Sequence, residues 1–300
     1  MPYSFRYFTL SLGCLLLLQL LLVCFAIADD RAPFIPDTGI EAARGTQTVH
    51  QAGDESTVGT DLQIADTHDQ FMAVEEGWSI GAGVGVSESP YKSYDVQWMP
   101  LPIISYEGEY FYIRGLAAGL KLLNYQYLEV STFVGYDGTS FDTSDTSNSQ
   151  MKKLKNRHSS AVAGMQARVV TPVGMFQASG AADILGKSNG FKGEVEYNYS
   201  IEYEPVELVL TGGMDWSTSR YQNYYYGVSG NESSKSGLEE YRPGAGVSPY
   251  VGASLVVSPT DSVDIFCSGQ VNFLNDNIKD SPMVGKERTH SVTGGLIYNF

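Results

Sequence analysis

Two places in the chain set a base beside hydroxyls, the pairing that acyl-transfer chemistry needs: His158-Ser159-Ser160 and His290-Ser291. A histidine that takes a proton from serine must sit within hydrogen-bond reach of its oxygen. Adjacent residues on a strand point to opposite faces, so neither pair is placed for that transfer. Asp142 and Asp145, among serines and threonines, offer oxygen ligands of the kind calcium takes, but their spacing is not that of an EF-hand loop and reads as a solvated acidic loop. Gly81, Gly83 and Gly85 lack the βαβ context of a nucleotide fingerprint and read as an inward row that leaves room for other side chains. Tyr224, Tyr225 and Tyr226 could stack on a sugar ring; an interfacial aromatic belt is the plainer reading. Cys14 and Cys24 belong to an N-terminal apolar stretch, which leaves Cys267 alone and excludes a CxxC zinc site or an intrachain disulfide framework. These residues predict no catalytic centre, no cofactor and no metal.

The elements that carry them have a period of two. EVEYNYSIEYE sets Val195, Tyr197, Tyr199, Ile201 and Tyr203 against Glu194, Glu196, Asn198, Ser200, Glu202 and Glu204. VELVLTGGMDW and VDIFCSGQVNF repeat the pattern, with Glu207, Asp215 and Asp264 on the polar side. About twelve such segments follow residue 77, near 78–86, 96–105, 109–117, 126–136, 159–170, 174–185, 192–204, 206–216, 219–227, 247–257, 262–273 and 290–300. At about 9–12 residues most are long enough to cross a bilayer core as tilted strands. A soluble sandwich would show the same alternation. The length of the strands, an export signal and an aromatic last strand (Leu296, Tyr298, Phe300) select instead an all-β transmembrane antiparallel barrel of about twelve strands, or ten, over 77–300. The last strand must then close against the first. By parity Asp183, Glu194, Glu196, Glu202, Glu204, Glu207, Asp215 and Asp264 point into the lumen or to its rims, against Arg168 as an inward base.

Residues 1–28 read as a cleaved signal peptide. Arg6 is the only charge before Asp29, SLGCLLLLQLLLVCFA (11–26) is apolar, and Ala26-Ile27-Ala28 offers a small-x-small cleavage site. Residues 29–76 are polar, acidic and without sustained period, a flexible periplasmic segment. The full chain carries 19 Lys+Arg against 34 Asp+Glu, a formal charge of −15, which argues against nucleic acid as a partner.

The stretches PLPIISYEGEYFYIRG (100–115), SFDTSDTS with LKNRHSS downstream, YQNYYYGVSGNES (221–233), EEYRPGAGVSPYVG (239–252) and SPMVGKERTHSVTGGLIYNF (281–300) resemble the MipA/OmpV family. The resemblance covers about residues 77–300. It implies an outer-membrane barrel, in contact with lipid, lipopolysaccharide and the barrel-assembly machinery. It further implies a scaffold that links a murein lytic transglycosylase to a penicillin-binding protein. A narrow, cation-preferring channel for small solutes is the second reading, resting on the inward carboxylates. Counting strands back from Phe300 puts 137–158 on the periplasmic side. This segment carries the motif residues Asp142, Asp145 and Arg157 and a basic cluster of Lys152, Lys153 and Lys155, so the count predicts an enzyme-docking site there.

Overall fold

The computed structural model describes residues 76–300 except Asp95; the expected leader and the acidic segment up to residue 75 lie outside the described residues. Strong alternation becomes strand wherever it is sustained: β1 (Gly77–Ser87), β2 (Gln97–Glu107), β3 (Phe111–Arg114), β4 (Ala117–Tyr125), β5 (Leu128–Asp137), β6 (Ser160–Thr171), β7 (Gly174–Asp183), β8 (Phe191–Tyr203), β9 (Val206–Ser217), β10 (Gly246–Thr260), β11 (Val263–Phe273) and β12 (Arg288–Asn299). Each pairs antiparallel with its neighbours in sequence, and β12 returns to β1, closing a twelve-strand barrel with no free edge at the ends of the sheet. The closing register sets Tyr298 opposite Ile80 and Leu296 opposite Ala82. Beyond it the Phe300 amide donates to the Trp78 carbonyl at 3.1 Å, and the Tyr298 and Phe300 rings meet edge to face at 5.0 Å.

The wall has the expected two faces. Val195, Tyr199, Ile201, Leu210, Met214 and Trp216 are exposed on the outside, while Glu196, Asn198, Val209 and Thr211 on the same strands are buried within. One rim is made of tight turns at 108–110, 126–127, 172–173, 204–205 and 261–262, and Phe300 lies on this rim. The other rim carries the long connections 88–96, 138–159, 218–245 and 274–287 and the shorter 184–190. These hold a short 3-10 turn (Met151–Lys153) and three helices, α1 (Ser219–Tyr226), α2 (Gly230–Ser236) and α3 (Asp276–Lys279).

Two segments differ from the alternation reading, and the differences offset one another in the strand count. The expected strand 219–227 is helix α1. Its buried residues are Tyr221, Gln222, Tyr225 and Tyr226, the i, i+1, i+4, i+5 stripe of a helix rather than every second residue. A run of three tyrosines fits either period, so composition alone did not decide. The expected single strand 109–117 is instead the hairpin β3–β4, turned at Gly115-Leu116 with Gly115 at φ 54°, a left-handed conformation that glycine adopts at no steric cost. Removing the strand at 219–227 leaves seven strands between 138–159 and Phe300. The segment 137–158 therefore sits on the loop rim with 228–246 and 274–289, not on the rim of Phe300. The strand count behind the expected docking site is thereby corrected: the segment lies on the rim opposite Phe300.

Candidate functional site: the filled lumen and its cap

The long connections do not hang free; they fold together over the mouth. Ser229-x-x-Glu232 forms a capping box at the start of α2: the Glu232 amide donates to Ser229 Oγ, and the Ser229 amide donates back to the Glu232 carboxylate. Gly237 ends that helix at φ 76°. Asn275 caps α3 by accepting from the Ile278 amide. Phe141, Met151, Leu154, Tyr221, Tyr225, Val228, Ile278 and Met283, contributed by three separate connections, join Tyr91 from the fourth in one buried apolar cluster. Pairings at Tyr91–Val284, Tyr94–Thr146, Phe141–Arg157 and Val228–Tyr241 stitch the connections together.

The motif residues of 137–158 divide within this cap. Arg157 is buried: its guanidinium donates to Glu232 at 2.8 Å, to the Lys155 carbonyl at 2.7 Å and to the Gly227 carbonyl at 3.2 Å. Burial raises the Glu232 carboxyl, but hydrogen bonds from Ser229 and Arg157 outweigh it and bring it from 4.5 down to about 2. Asp142 accepts from the Ser144 amide at 2.8 Å and from Asn156 at 2.9 Å, a local turn. Asp145 accepts from Tyr94 Oη at 3.0 Å. These three groups hold the cap together. Lys152, Lys153 and Lys155 are exposed.

The two base–hydroxyl pairs are also separated by their surroundings. His158 is exposed, whereas Ser160 turns inward and donates to Asp183 at 2.5 Å. His290 Nδ1 lies 2.8 Å from Glu88. Among the described residues no three His, Cys, Asp or Glu side chains are grouped to hold a metal ion.

Beneath the cap a cavity of about 150 Å³ occupies the loop-rim half of the lumen, lined by Glu88, Lys192, Asp215, Tyr221 and His290 among others. Below it the lumen is filled by side chains. Glu194 and Glu196 converge on the Tyr250 hydroxyl, the second at 2.7 Å, and Glu196 continues through Asn198 to Thr211 by bonds of 2.7 Å each. Arg168 donates to Gln177 at 3.0 Å. Asp264 accepts from Ser258 and from Asn299. Glu202 and Glu204 are exposed at the turn rim, and Glu207, paired in register with Glu202, is half-buried there.

Nearer the turn rim two further groups lie inside the barrel. Ile103, Val209, Val256, Phe266 and Ile297 come from β2, β9, β10, β11 and β12 and form one apolar cluster inside the barrel. On the opposite arc Arg114 meets Glu107 at 2.5 Å and Glu129 at 3.5 Å, while Lys121 meets the same carboxylates at 2.8 and 3.6 Å. Two positive and two negative groups, all nearly buried, neutralise one another there. The charge pattern of the sequence does not reveal this network, because alternation over 109–117 predicts one strand where a hairpin brings Arg114 and Lys121 inward. The cap did have a readable signal, the S-x-x-E capping box at 229–232.

A family model described as "MltA-interacting protein MipA" matches residues 80–300. The chain is 34% identical over 230 residues to the MltA-interacting protein of Escherichia coli (strain K12), covering 76% of this chain and 93% of that protein. It is 32% identical over 222 residues to the putative outer membrane protein YiaT of the same strain, covering 74% and 90%. To outer membrane protein OmpV of Vibrio cholerae it is 27% identical over 233 residues, covering 75% and 88%.

Proposed function

The chain belongs to the MipA family of outer-membrane β-barrel proteins, and from that premise we propose that it is a closed, non-enzymatic scaffold holding peptidoglycan-remodelling enzymes at the inner face of the outer membrane. The observation that carries this reading is the filled lumen. Solute transport needs a continuous wet path, whereas anchoring needs a rigid body, and a bore blocked by an apolar cluster and a neutral ion network under a folded cap suits the second task.

Short turns of outer-membrane barrels face the periplasm and long connections face outside. The surface offered to a periplasmic partner is then the turn rim. Glu109, Glu202, Glu204 and Asp261 are exposed on that rim, and its five tight turns contain no lysine or arginine. Such a rim favours a partner with a basic patch, because complementary charge steers encounter and fixes orientation. The partner class is the one the E. coli relative is named for, a murein lytic transglycosylase, with a penicillin-binding protein as second member.

Crosslinking in cells tests this. In a Cys267→Ser background, Val173→Cys places a crosslinkable thiol in the turn after β6, and Gly237→Cys places a control on the cap. Mass spectrometry should find a murein enzyme attached through position 173 and not through 237. Capture of only lipopolysaccharide and barrel-assembly factors at position 173 would overturn the scaffold reading.

A further inference from the structure

The barrel wall is incomplete on one side. Strand β2 pairs with β1 along all its residues, Gln97 to Glu107, but with β3 only at Ser105, Tyr106 and Glu107. The β3–β4 hairpin stops at Gly115-Leu116, whose last bond to β2 runs from the Gly115 amide to the Ile104 carbonyl at 3.2 Å. From residue 98 to 103 that edge of β2 pairs with no strand among the described residues. Six residues at about 3.3 Å each make a window ~20 Å long, beginning next to the outer end of β2. The connection after β5 closes its top by crossing to the β1–β2 connection, where Thr146 donates to the Lys92 carbonyl and the Ser147 amide to the Ser93 carbonyl, each at 2.9 Å.

An open sheet edge within a bilayer leaves backbone groups unsatisfied, at a cost of several kcal/mol each. In an antiparallel strand the N–H and C=O of one residue point to the same neighbour and alternate residues point to opposite ones. Since the Ile104 carbonyl faces the hairpin, the edge positions above it are 102, 100 and 98. Two of these three are Pro102 and Pro100, which have no N–H to leave unpaired. The same prolines deny an incoming strand two of the N–H donors its carbonyls would need, so the edge is unsuited to strand addition.

The inner face of the same stretch is also unusual. Met99, Leu101 and Ile103 are successive inward residues, and no other described strand has three successive inward apolar side chains. Behind the hairpin Phe133, opposite Gly119 of β4, packs inward with Tyr112, Val162 and Ala181. Outside, Trp98 is 62% and Leu116 60% exposed.

We propose that this window is a lateral binding site for the acyl chain of an outer-leaflet lipid, which passes between the proline edge of β2 and the β3–β4 tip to lie against Met99, Leu101 and Ile103. Hydrocarbon is the occupant that fits: two of the three edge positions have no N–H to pair, and an acyl chain meets apolar side chains on both sides of the wall. The proposal is independent of which enzyme docks at the turn rim.

The test uses the unmodified barrel in phosphatidylcholine vesicles doped with a phosphatidylcholine that carries a diazirine on its acyl chain. After photolysis, tandem mass spectrometry assigns adducts residue by residue. Adducts are expected on the inward residues Met99, Leu101 and Ile103 at no less than about a tenth of the yield on outward Trp98 and Ile104. The inward residues Ser254 and Val256 of β10 serve as the baseline and should carry none. If inward β2 residues react no more than those of β10, the acyl chain does not enter and the site is wrong.

Discussion

Arg157 and Glu232 lie 75 positions apart, yet their contact at 2.8 Å joins two connections of the cap. Breaking a buried pair by removing one partner costs about 3–5 kcal/mol, since the other charge is left uncompensated. Arg157→Met should therefore raise amide exchange across 228–237 by roughly a hundredfold or more, at 1.4 kcal/mol per decade, with the sheet unaffected; hydrogen exchange with mass spectrometry reads both at once. Arg157→Lys keeps the charge but not the planar fork and should fall between. Acid acts on the same pair. The folded carboxyl of Glu232 is depressed from 4.5 to about 2, so its contribution is full above the unfolded value and is lost as pH falls from about 4.5 through 2. Cap exchange should be flat from pH 7 to 5, after correction for intrinsic rates, and rise below. An onset near neutrality would assign the response to another group. In the wall, Arg114→Leu leaves Glu107 with Lys121 as its remaining base in the network, so it should destabilise the barrel by less than the loss of an uncompensated buried charge would, read as a lower urea midpoint.

At the scale of elements, the seam between β1 and β12 has little tolerance for volume. A Cβ on Gly83 would stand 2.6 Å from the Gly294 carbonyl oxygen, and one on Gly81 2.4 Å from that of Leu296, both backbone atoms that cannot swing aside. Gly83→Val should reduce the heat-modifiable, folded species on gels, and so should Phe300→Asp, which puts a charge where the Tyr298–Phe300 edge-to-face pair now sits. Unchanged folded protein in outer membranes from both variants would refute a closing role for this seam. The outward faces of β8, β9 and β12 were legible in the sequence because lipid-facing and inward residues there differ in polarity at most positions, Val209 and Ile297 excepted. The hairpin at 111–125 was not: KLLNY loses alternation where β4 shifts register between Lys121 and Leu123. Nor was α1, whose tyrosines are apolar enough for either period. Individual site residues were less legible than elements, since parity tells which way Glu196 points but not that Tyr250 lies opposite it.

For the whole molecule, the corrected strand order predicts that Ser147→Cys and Gly237→Cys, in a Cys267→Ser background, label alike with an impermeant maleimide in intact cells. Protection of Ser147→Cys alone would restore the periplasmic placement. Pure protein in planar bilayers should show no conductance steps, because the Ile103–Ile297 cluster and the Arg114 network leave water no continuous path; cation-selective steps would favour the channel. The cap carries one more consequence, and it concerns time rather than space. His290 meets Glu88 across 202 positions of sequence, and the Tyr91 hydroxyl reaches the Tyr225 carbonyl across 134. Contacts so distant along the chain form late, after the sheet has brought their strands together. A finished cap thus certifies a closed barrel. During biogenesis, protease added outside the cell should cut 138–159 and 218–245 in molecules whose β1–β12 seam is still open, and spare those in which it has shut.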